Sequence, residues 1–402
     1  MNYIGFAFNF NIQRCEVPVG EEWKIIKYGY RPLFESLLRY KQKANLFLTG
    51  YSTQTIAAID PELIDLIRDH LVLSEKISQI PAQASENRIF SLGTYTYTHP
   101  IMQLLVQSEL EAQIERGISI DQKYYGIKPK GFFPPEFAFT HAMARELSDV
   151  GIEWTIVLSD FAYSVCPDLK CAGIHRPYIA TQENGPSIGA IPIALDLKGL
   201  GKRFFKRMLL GSLSTEDAIA GIKIFLENQD EVFLILERDA ETIYIDDLNS
   251  GIAGTQQRLD TFLESLTQMV TQIPGTKFST IDEYVDEKHY SFRLSIPEYL
   301  GNTKIETFTE GISKTVWEYT CKVRDRLFSL ENKFSTCEGL KEPLAKAWEH
   351  LLLSHNSDGR IGYWHSDWLP GEHITQESRK KFVLDNLAQA EKYLDTAEAI
   401  SD

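Results

Sequence analysis

Gly131-Phe132-Phe133-Pro134-Pro135-Glu136-Phe137-Ala138-Phe139 is the stretch on which the reading of this chain turns. The apolar run from Lys128 to Phe133 has the length of one short buried strand. Pro134 and Pro135 end it, because proline donates no backbone hydrogen bond and fixes its own dihedral. Glu136 is thereby delivered at a strand's C-terminal end, among Phe132, Phe133, Phe137 and Phe139. Burying an unpartnered charge is costly, so this carboxylate needs a reason. In barrel folds the C-terminal ends of the strands build the active site. The plain alternative is an N-cap for a helix that starts near Thr140.

Working outward, short apolar runs alternate with amphipathic stretches up to about Val285, the pattern of an α/β fold. The predicted strands are Tyr3 to Asn9, Asn45 to Thr49, Arg88 to Gly93, Lys128 to Phe133, Trp154 to Leu158, Val232 to Leu236 and Lys277 to Ser279. Ser187 to Pro192 is a further run, read as part of an insertion within Asp160 to Gly211. Leu259, Phe262, Leu263, Leu266, Met269, Val270 and Ile273 form one apolar helical stripe. Ser214 opens a capping-box-like start for a helix from Ala218 to Glu227. These units suggest a closed or nearly closed barrel over residues 1–290, with a doubly wound open sheet as the alternative. No Gly-x-Gly-x-x-Gly follows the first strand, which argues against a dinucleotide site. After about Leu300, Glu306 to Asn332, Gly339 to His355 and Thr375 to Ala399 read as long helices. A helical bundle over 300–402 follows.

A second carboxylate cluster stands at the end of the apolar strand Val232-Phe233-Leu234-Ile235-Leu236, where Glu237-Arg238-Asp239-Ala240-Glu241 follows at once. Like charges held this close push one pKa up, which suits a general acid. A plain charged loop is the competing reading, weakened because this loop would share a barrel rim with Glu136. Two carboxylates from different strands, facing across a barrel mouth, are what glycosidic-bond cleavage requires.

Composition narrows the classes. The chain has 402 residues, 43% apolar and 24% charged, an ordinary globular balance. A net charge of −15 argues against nucleic-acid and anionic-membrane partners, which need a basic surface. The basic cluster Lys198, Lys202, Arg203, Lys206 and Arg207 reads as a solvated face, or as a site for an anionic group. Five scattered cysteines (Cys15, Cys166, Cys171, Cys321, Cys337) complete no zinc site and read as reduced thiols of a cytoplasmic protein. The N-terminus lacks the basic and apolar regions of a signal peptide, and no apolar run reaches the ~18 residues of a membrane span. No cofactor or metal is expected. A zinc deacetylase would need a His-x-x-x-His pair, and His350 and His355 are five apart. A Gly-x-Ser-x-Gly nucleophile elbow is also lacking.

The motifs, taken in order, resemble those of glycoside hydrolase family 57. Gly131 to Phe139 is similar to that family's nucleophile region, roughly Gly-x-Trp-x-Pro-Glu, and Asp239-Ala240-Glu241 to its Asp-Gly-Glu or Asp-Ala-Glu motif. Gly93-Thr94-Tyr95-Thr96-Tyr97-Thr98-His99-Pro100 resembles the second region, and Lys277 to Tyr284 the closing strand and turn. Asn356-Ser357-Asp358-Gly359-Arg360-Ile361-Gly362-Tyr363-Trp364-His365 resembles a segment brought over the active site from the helical region. The resemblance implies an incomplete (β/α)7 barrel with a C-terminal helical domain. It implies retaining cleavage or transfer at α-glycosidic bonds of an oligo- or polysaccharide, with Glu136 as nucleophile and Asp239 as acid/base. Asn9, Asn11, His99, Glu241, Asp358, Trp364 and His365 become the expected substrate contacts. Departures exist. Phe8-Asn9-Phe10-Asn11-Ile12-Gln13 stands where the family has His-Gln-Pro, Phe90 or Ser91 replaces a usual glutamate, and Phe133 or Phe132 the usual tryptophan. The departures keep a second reading open, a catalytically weak carbohydrate-binding or regulatory homologue.

Overall fold

The strand Asn2–Phe10 (β1) is buried along its whole length and organises the molecule. The structure, a computed structural model, describes residues 1–12, 20–72, 88–158, 175–181, 186–193, 195–197, 199–229, 231–245, 254–288, 290, 293–295, 299–300, 305–334, 338–360 and 376–401. The other strands are Ala44–Leu48 (β2), Phe90–Thr94 (β3), Gly131–Phe132 (β4), Phe139–Thr140 (β5), Trp154–Leu158 (β6), Tyr178–Thr181 (β7), Ile188–Ile193 (β8), Phe233–Asp239 (β9), Thr276–Phe278 (β10), Arg293–Ser295 (β11) and Tyr299–Leu300 (β12). β1 pairs in parallel with β9 along Tyr3 to Asn9, with β2 along Phe6 to Phe10 and with β10 along Asn2 to Ile4. The parallel order then runs β2, β3, β4, β6, β8. β7 joins β8 antiparallel, β11 joins β7, and β12 pairs with β5 in a separate ribbon. Every predicted strand is present. β8, read from sequence as part of an insertion, is instead a full parallel member of the sheet beside β6.

Side-chain alternation divides β1 between two cores. Ile4, Phe6, Phe8 and Phe10 face the helix-covered layer with Leu33, Phe34, Leu259 and Phe262. Tyr3 and Ala7 face an inner cluster with Phe47, Phe133, Trp154, Ile191, Phe233 and Ile235. Both faces are apolar, as expected of parallel strands covered on each side. The sheet is strongly curved. β2 and β6 are three strand spacings apart, roughly 14 Å in a flat sheet. Yet the rings of Phe47 and Trp154 meet with centroids 6.0 Å apart. β9 also approaches β8, from the far end of the order. Gly131 is required here, since an added Cβ would fall 2.1 Å from the Trp154 ring.

Helices Lys314–Phe334, Lys341–Ser354 and Gln376–Ser401 share a core that includes Val323, Leu327, Leu351, Leu387 and Leu394. The helix expected over Glu306 to Asn332 is broken. Glu306–Thr309 ends, Gly311 takes φ 58°, and the long helix restarts at Lys314. This core docks on helix Gln107–Tyr125 through the fully buried Glu109, which accepts from Arg324 Nε at 2.7 Å and lies 3.0 Å from His355 Nε2. Among the described residues no helix is long and apolar enough to cross a membrane.

Candidate active site

Four strand ends, those of β1, β3, β4 and β9, deliver the site together with a turn from the helical region. After β4, Pro135–Phe137 forms a single 3-10 turn, with Phe137 N–H donating to Pro134 O and Ala138 N–H to Pro135 O, both at 2.9 Å. Within it Glu136 takes φ 56°, ψ 21° and Phe137 takes φ 55°. A left-handed conformation costs an L-residue about 1–2 kcal/mol. Thr96 and His99, on the neighbouring rim after β3, also have positive φ, 66° and 59°. Strain thus gathers on this rim. The N-cap reading of Glu136 fails, because helix His141–Asp149 is capped at Thr140.

Alternation carries the inner face of β9 onward from Phe233 and Ile235 to Glu237 and Asp239. The register sets Asn9 opposite Asp239. Asn9 Nδ2 donates to Glu237 Oε1 at 2.9 Å and reaches Asp239 Oδ1 at 3.4 Å. Arg238 Nη1 stands 3.8 Å from Asp239 Oδ2. Glu241, one turn on, accepts from Tyr30 Oη at 3.3 Å and from the Asn11 backbone N–H at 3.4 Å. The Asn11 side chain donates to Asp358 Oδ2 at 2.8 Å.

Asp358 arrives from the helical region on a fully buried turn after Lys341–Ser354. Arg360 folds back on this turn, its guanidinium donating to Ser354 O at 2.7 Å and to Thr320 Oγ1 at 2.8 Å. The backbone of Ser357 donates to His99 O at 3.0 Å, and Asn356 Nδ2 to Thr98 O at 3.3 Å. His99 is bonded at both ring nitrogens, Nε2 to Tyr95 Oη at 2.6 Å and Nδ1 to Ser357 Oγ at 2.7 Å. Ser357 Oγ in turn donates to Glu136 Oε1 at 3.2 Å. His99 Nδ1 also lies 3.6 Å from Asp358 Oδ2. Ligand atoms of His99, Glu136 and Asp358 fall within 4.8 Å of one another, a span open to a cation. With both His99 nitrogens engaged, the trio reads as a hydrogen-bonded cluster rather than an arranged ligand set.

Burial dominates the electrostatics. It raises Glu136 to about 8, helped by the charges of Asp358 and Asp239 and opposed by the Ser357 hydrogen bond. Burial and then the charge of Asp239 raise Glu237 and Glu241 to about 8 each. Asp358 rises to about 6 from burial, with Arg379 and Asn11 opposing. Burial drives His99 down to about 3, so its ring is neutral at pH 7. The site is therefore a nest of acids, several of them protonated near neutrality, around one neutral imidazole.

Direct contacts join Asn11, His99, Glu136, Glu241 and Asp358 in one group, and Asn9 and Asp239 form an adjoining one whose charge reaches Glu136 and Glu241. Trp364 and His365 lie outside the described residues. Asn9 and Asn11, expected to meet a sugar, each direct Nδ2 at carboxylates. Tyr95, Tyr30 and Ser357 belong to the first group and Glu237 to the second, and none of the four was given a role from the sequence. Strand alternation from Asp239 could have found Glu237. Nothing local marks Ser357, whose partners are more than 200 residues away.

No curated protein matches the chain. Three solved structures show the same fold at low identity. One is the 4-alpha-glucanotransferase from Thermococcus litoralis (TM-score 0.68, 15% identity), matched over 98% of this chain. This chain spans only 60% of that enzyme's length. The others are the GH57-type branching enzyme from Pyrococcus horikoshii (0.68, 18%, covering 98% of this chain and 91% of that one) and the alpha-amylase AmyC from Thermotoga maritima (0.64, 13%, covering 98% and 96%). The profile of glycosyl hydrolase family 57 matches residues 3–297, nearly three quarters of the sequence, and the chain belongs to that family.

Proposed function

We propose that the protein cleaves or transfers at α-glycosidic bonds of an α-glucan-like saccharide by a retaining mechanism. The observation that carries this reading is the strained placement of Glu136 on the same rim as Asp239, close enough for Asp239's charge to raise its pKa. Glu136 Oε attacks the anomeric carbon while Asp239 gives its proton to the departing glycosidic oxygen. Asp239 then takes a proton from water or a sugar hydroxyl, whose oxygen displaces Glu136. The nucleophile must be ionised to react, so the raised pKa of Glu136 sets the acid limb of turnover. Developing positive charge at the sugar favours that ionised form.

The curved parallel sheet supports an incomplete (β/α)7 barrel over residues 1–290, with residues 300–402 as a helical domain that contributes Ser357 and Asp358. Trp364 and His365 continue the same segment and are assigned to sugar stacking and hydroxyl binding. The substrate class proposed is suggested by the similar structures, a 4-alpha-glucanotransferase, a branching enzyme and an alpha-amylase. A mechanism-based fluoro-glucoside tests the assignment by forming a stable glycosyl ester on Glu136, located by peptide mass spectrometry. Label on another carboxylate would overturn the roles.

The loss of His-Gln-Pro, with Asn9 and Asn11 engaged by carboxylates, favours one second reading, a saccharide-binding homologue with weak catalysis. Saccharide binding with no label on any residue would select it. A zinc deacetylase is poorly supported. His350 Nδ1 pairs with Asn386 and His355 with Glu109, so the two histidines do not converge.

A further inference from the structure

Ser357 Oγ touches two polar atoms and has one proton. His99 Nδ1 is 2.7 Å away and Glu136 Oε1 3.2 Å. His99 is neutral, so it too has one N–H for two bonded nitrogens. The chain Tyr95–His99–Ser357–Glu136 can run in two directions. In the first, Tyr95 O–H donates to Nε2, Nδ1–H donates to Ser357 Oγ, and Ser357 O–H donates to an ionised Glu136. Three protons serve three hydrogen bonds, all directed toward the carboxylate. In the second, Glu136 is protonated and donates to Ser357, Ser357 donates to Nδ1, and Nε2–H donates to Tyr95. One proton has been added, and the imidazole has changed tautomer. The hydroxyl proton of Tyr95 is then left without an acceptor among the described residues, a costly outcome for a buried phenol.

We infer that Ser357 is a positioning residue: through this chain it aligns the His99 tautomer and favours the ionised, reactive form of Glu136. Asp358 supports the first arrangement, since its Oδ2 lies 3.6 Å from Nδ1 and favours a proton there. The inference rests on the reading of Glu136 as nucleophile for its catalytic meaning, and on geometry alone for its proton arrangement. The charged and titratable groups around Glu136 are Asp358 from the helical region, Asp239 from β9, and His99 and Tyr95 from the β3 rim. Arg379 and Glu241 act on it at one remove, through Asp358. Asp358 and Asp239 both oppose ionisation of Glu136, and Ser357 is the neighbour that favours it. A segment contributed by the helical region thus tunes the key carboxyl of the barrel.

The test needs no substrate. The protein is labelled with carbon-13 in its glutamate carboxyls, and the Glu136 signal is assigned by its loss in Glu136→Gln. Titration of the free protein should show the Glu136 midpoint rising about one unit in Ser357→Ala, a tenfold loss of acidity. Ser357→Thr, which keeps the hydroxyl, should restore it and also guards against a folding defect. Nitrogen-15 spectra of wild type should place the His99 proton on Nδ1 above the Glu136 midpoint and on Nε2 below it. Tyr95→Phe should weaken the Nδ1–H form. An unchanged Glu136 midpoint in folded Ser357→Ala, or an Nε2–H tautomer above the midpoint, overturns the inference. Failure of the fluoro-glucoside to label Glu136 would overturn the catalytic reading and leave these titrations standing.

Discussion

Glu109 is fully buried and Glu136 half-buried, and both meet the same short turn of the helical region, at His355 and at Ser357. Their chemistry is opposite. Burial pushes Glu109 up, but His355 and Arg324 outweigh it and hold the carboxyl at about 2. Among the described residues Glu136 has no cation beside it, but a serine hydroxyl and two further carboxylates, and it rises to about 8. Glu109 is a joint, and its full hydrogen bonding clamps helix Gln107–Tyr125 to Lys314–Phe334. Glu136 sits on a strained backbone in a site that opposes its charge, the mark of a group kept for function at some expense to stability. The joint also supports the site, because His355 is two residues from Ser357.

The sharpest break in this comparison comes from amide substitution. Glu136→Gln should lower turnover by roughly 10³-fold or more, as nucleophile removal commonly does. A variant keeping a tenth of wild-type activity in a steady-state assay would remove Glu136 from the chemistry. At the joint the effect falls on folding. Arg324→Leu leaves Glu109 short of its main cation, and denaturant unfolding should show a loss of about 3–5 kcal/mol. A loss below about 1 kcal/mol would mean that the joint is no anchor.

Asp239→Asn tests the other half of the proposed pair. Glycosides with good leaving groups, such as nitrophenyl glycosides, need little protonation and should be spared most. Should Glu237→Gln show that pattern instead, the acid is Glu237, which shares the Asn9 side chain with Asp239.

The smallest expected effect concerns stability and pH. Glu136, Glu237 and Glu241 have folded pKa values of about 8, above the ordinary carboxylate range. Between about pH 4.5 and 8 the native state therefore binds more protons than the unfolded chain, and stability falls as pH rises. Glu109 has the reverse sign. Its stabilisation is full above the ordinary carboxylate range and is lost only as pH falls through about 2. The melting temperature should thus decline from pH 5 to pH 8, and Glu237→Gln should flatten the decline. Melting curves with equal slopes in the two proteins would contradict the raised pKa of Glu237.

Much of this molecule was legible in its sequence, for local reasons. Strands apolar on both faces, such as Val232 to Leu236, announce a covered parallel sheet, and β9 lies there. The two prolines after Phe133 stop β4 where expected and leave Glu136 on the rim. The Leu259 to Ile273 stripe is a buried helical face because its spacing admits no other regular structure. What only the tertiary structure decided depends on contacts between distant residues. Parallel pairing set Asn9 against Asp239, 230 residues on, and made it a partner of two carboxylates. Sheet order made β8 an integral strand, which its short apolar run could not declare. Glu109 and Glu136 are both plain glutamates in sequence. Only the fold brought Arg324 and His355 to one and Ser357 and Asp358 to the other, and a pKa is set by the neighbours a carboxyl keeps once water has been excluded.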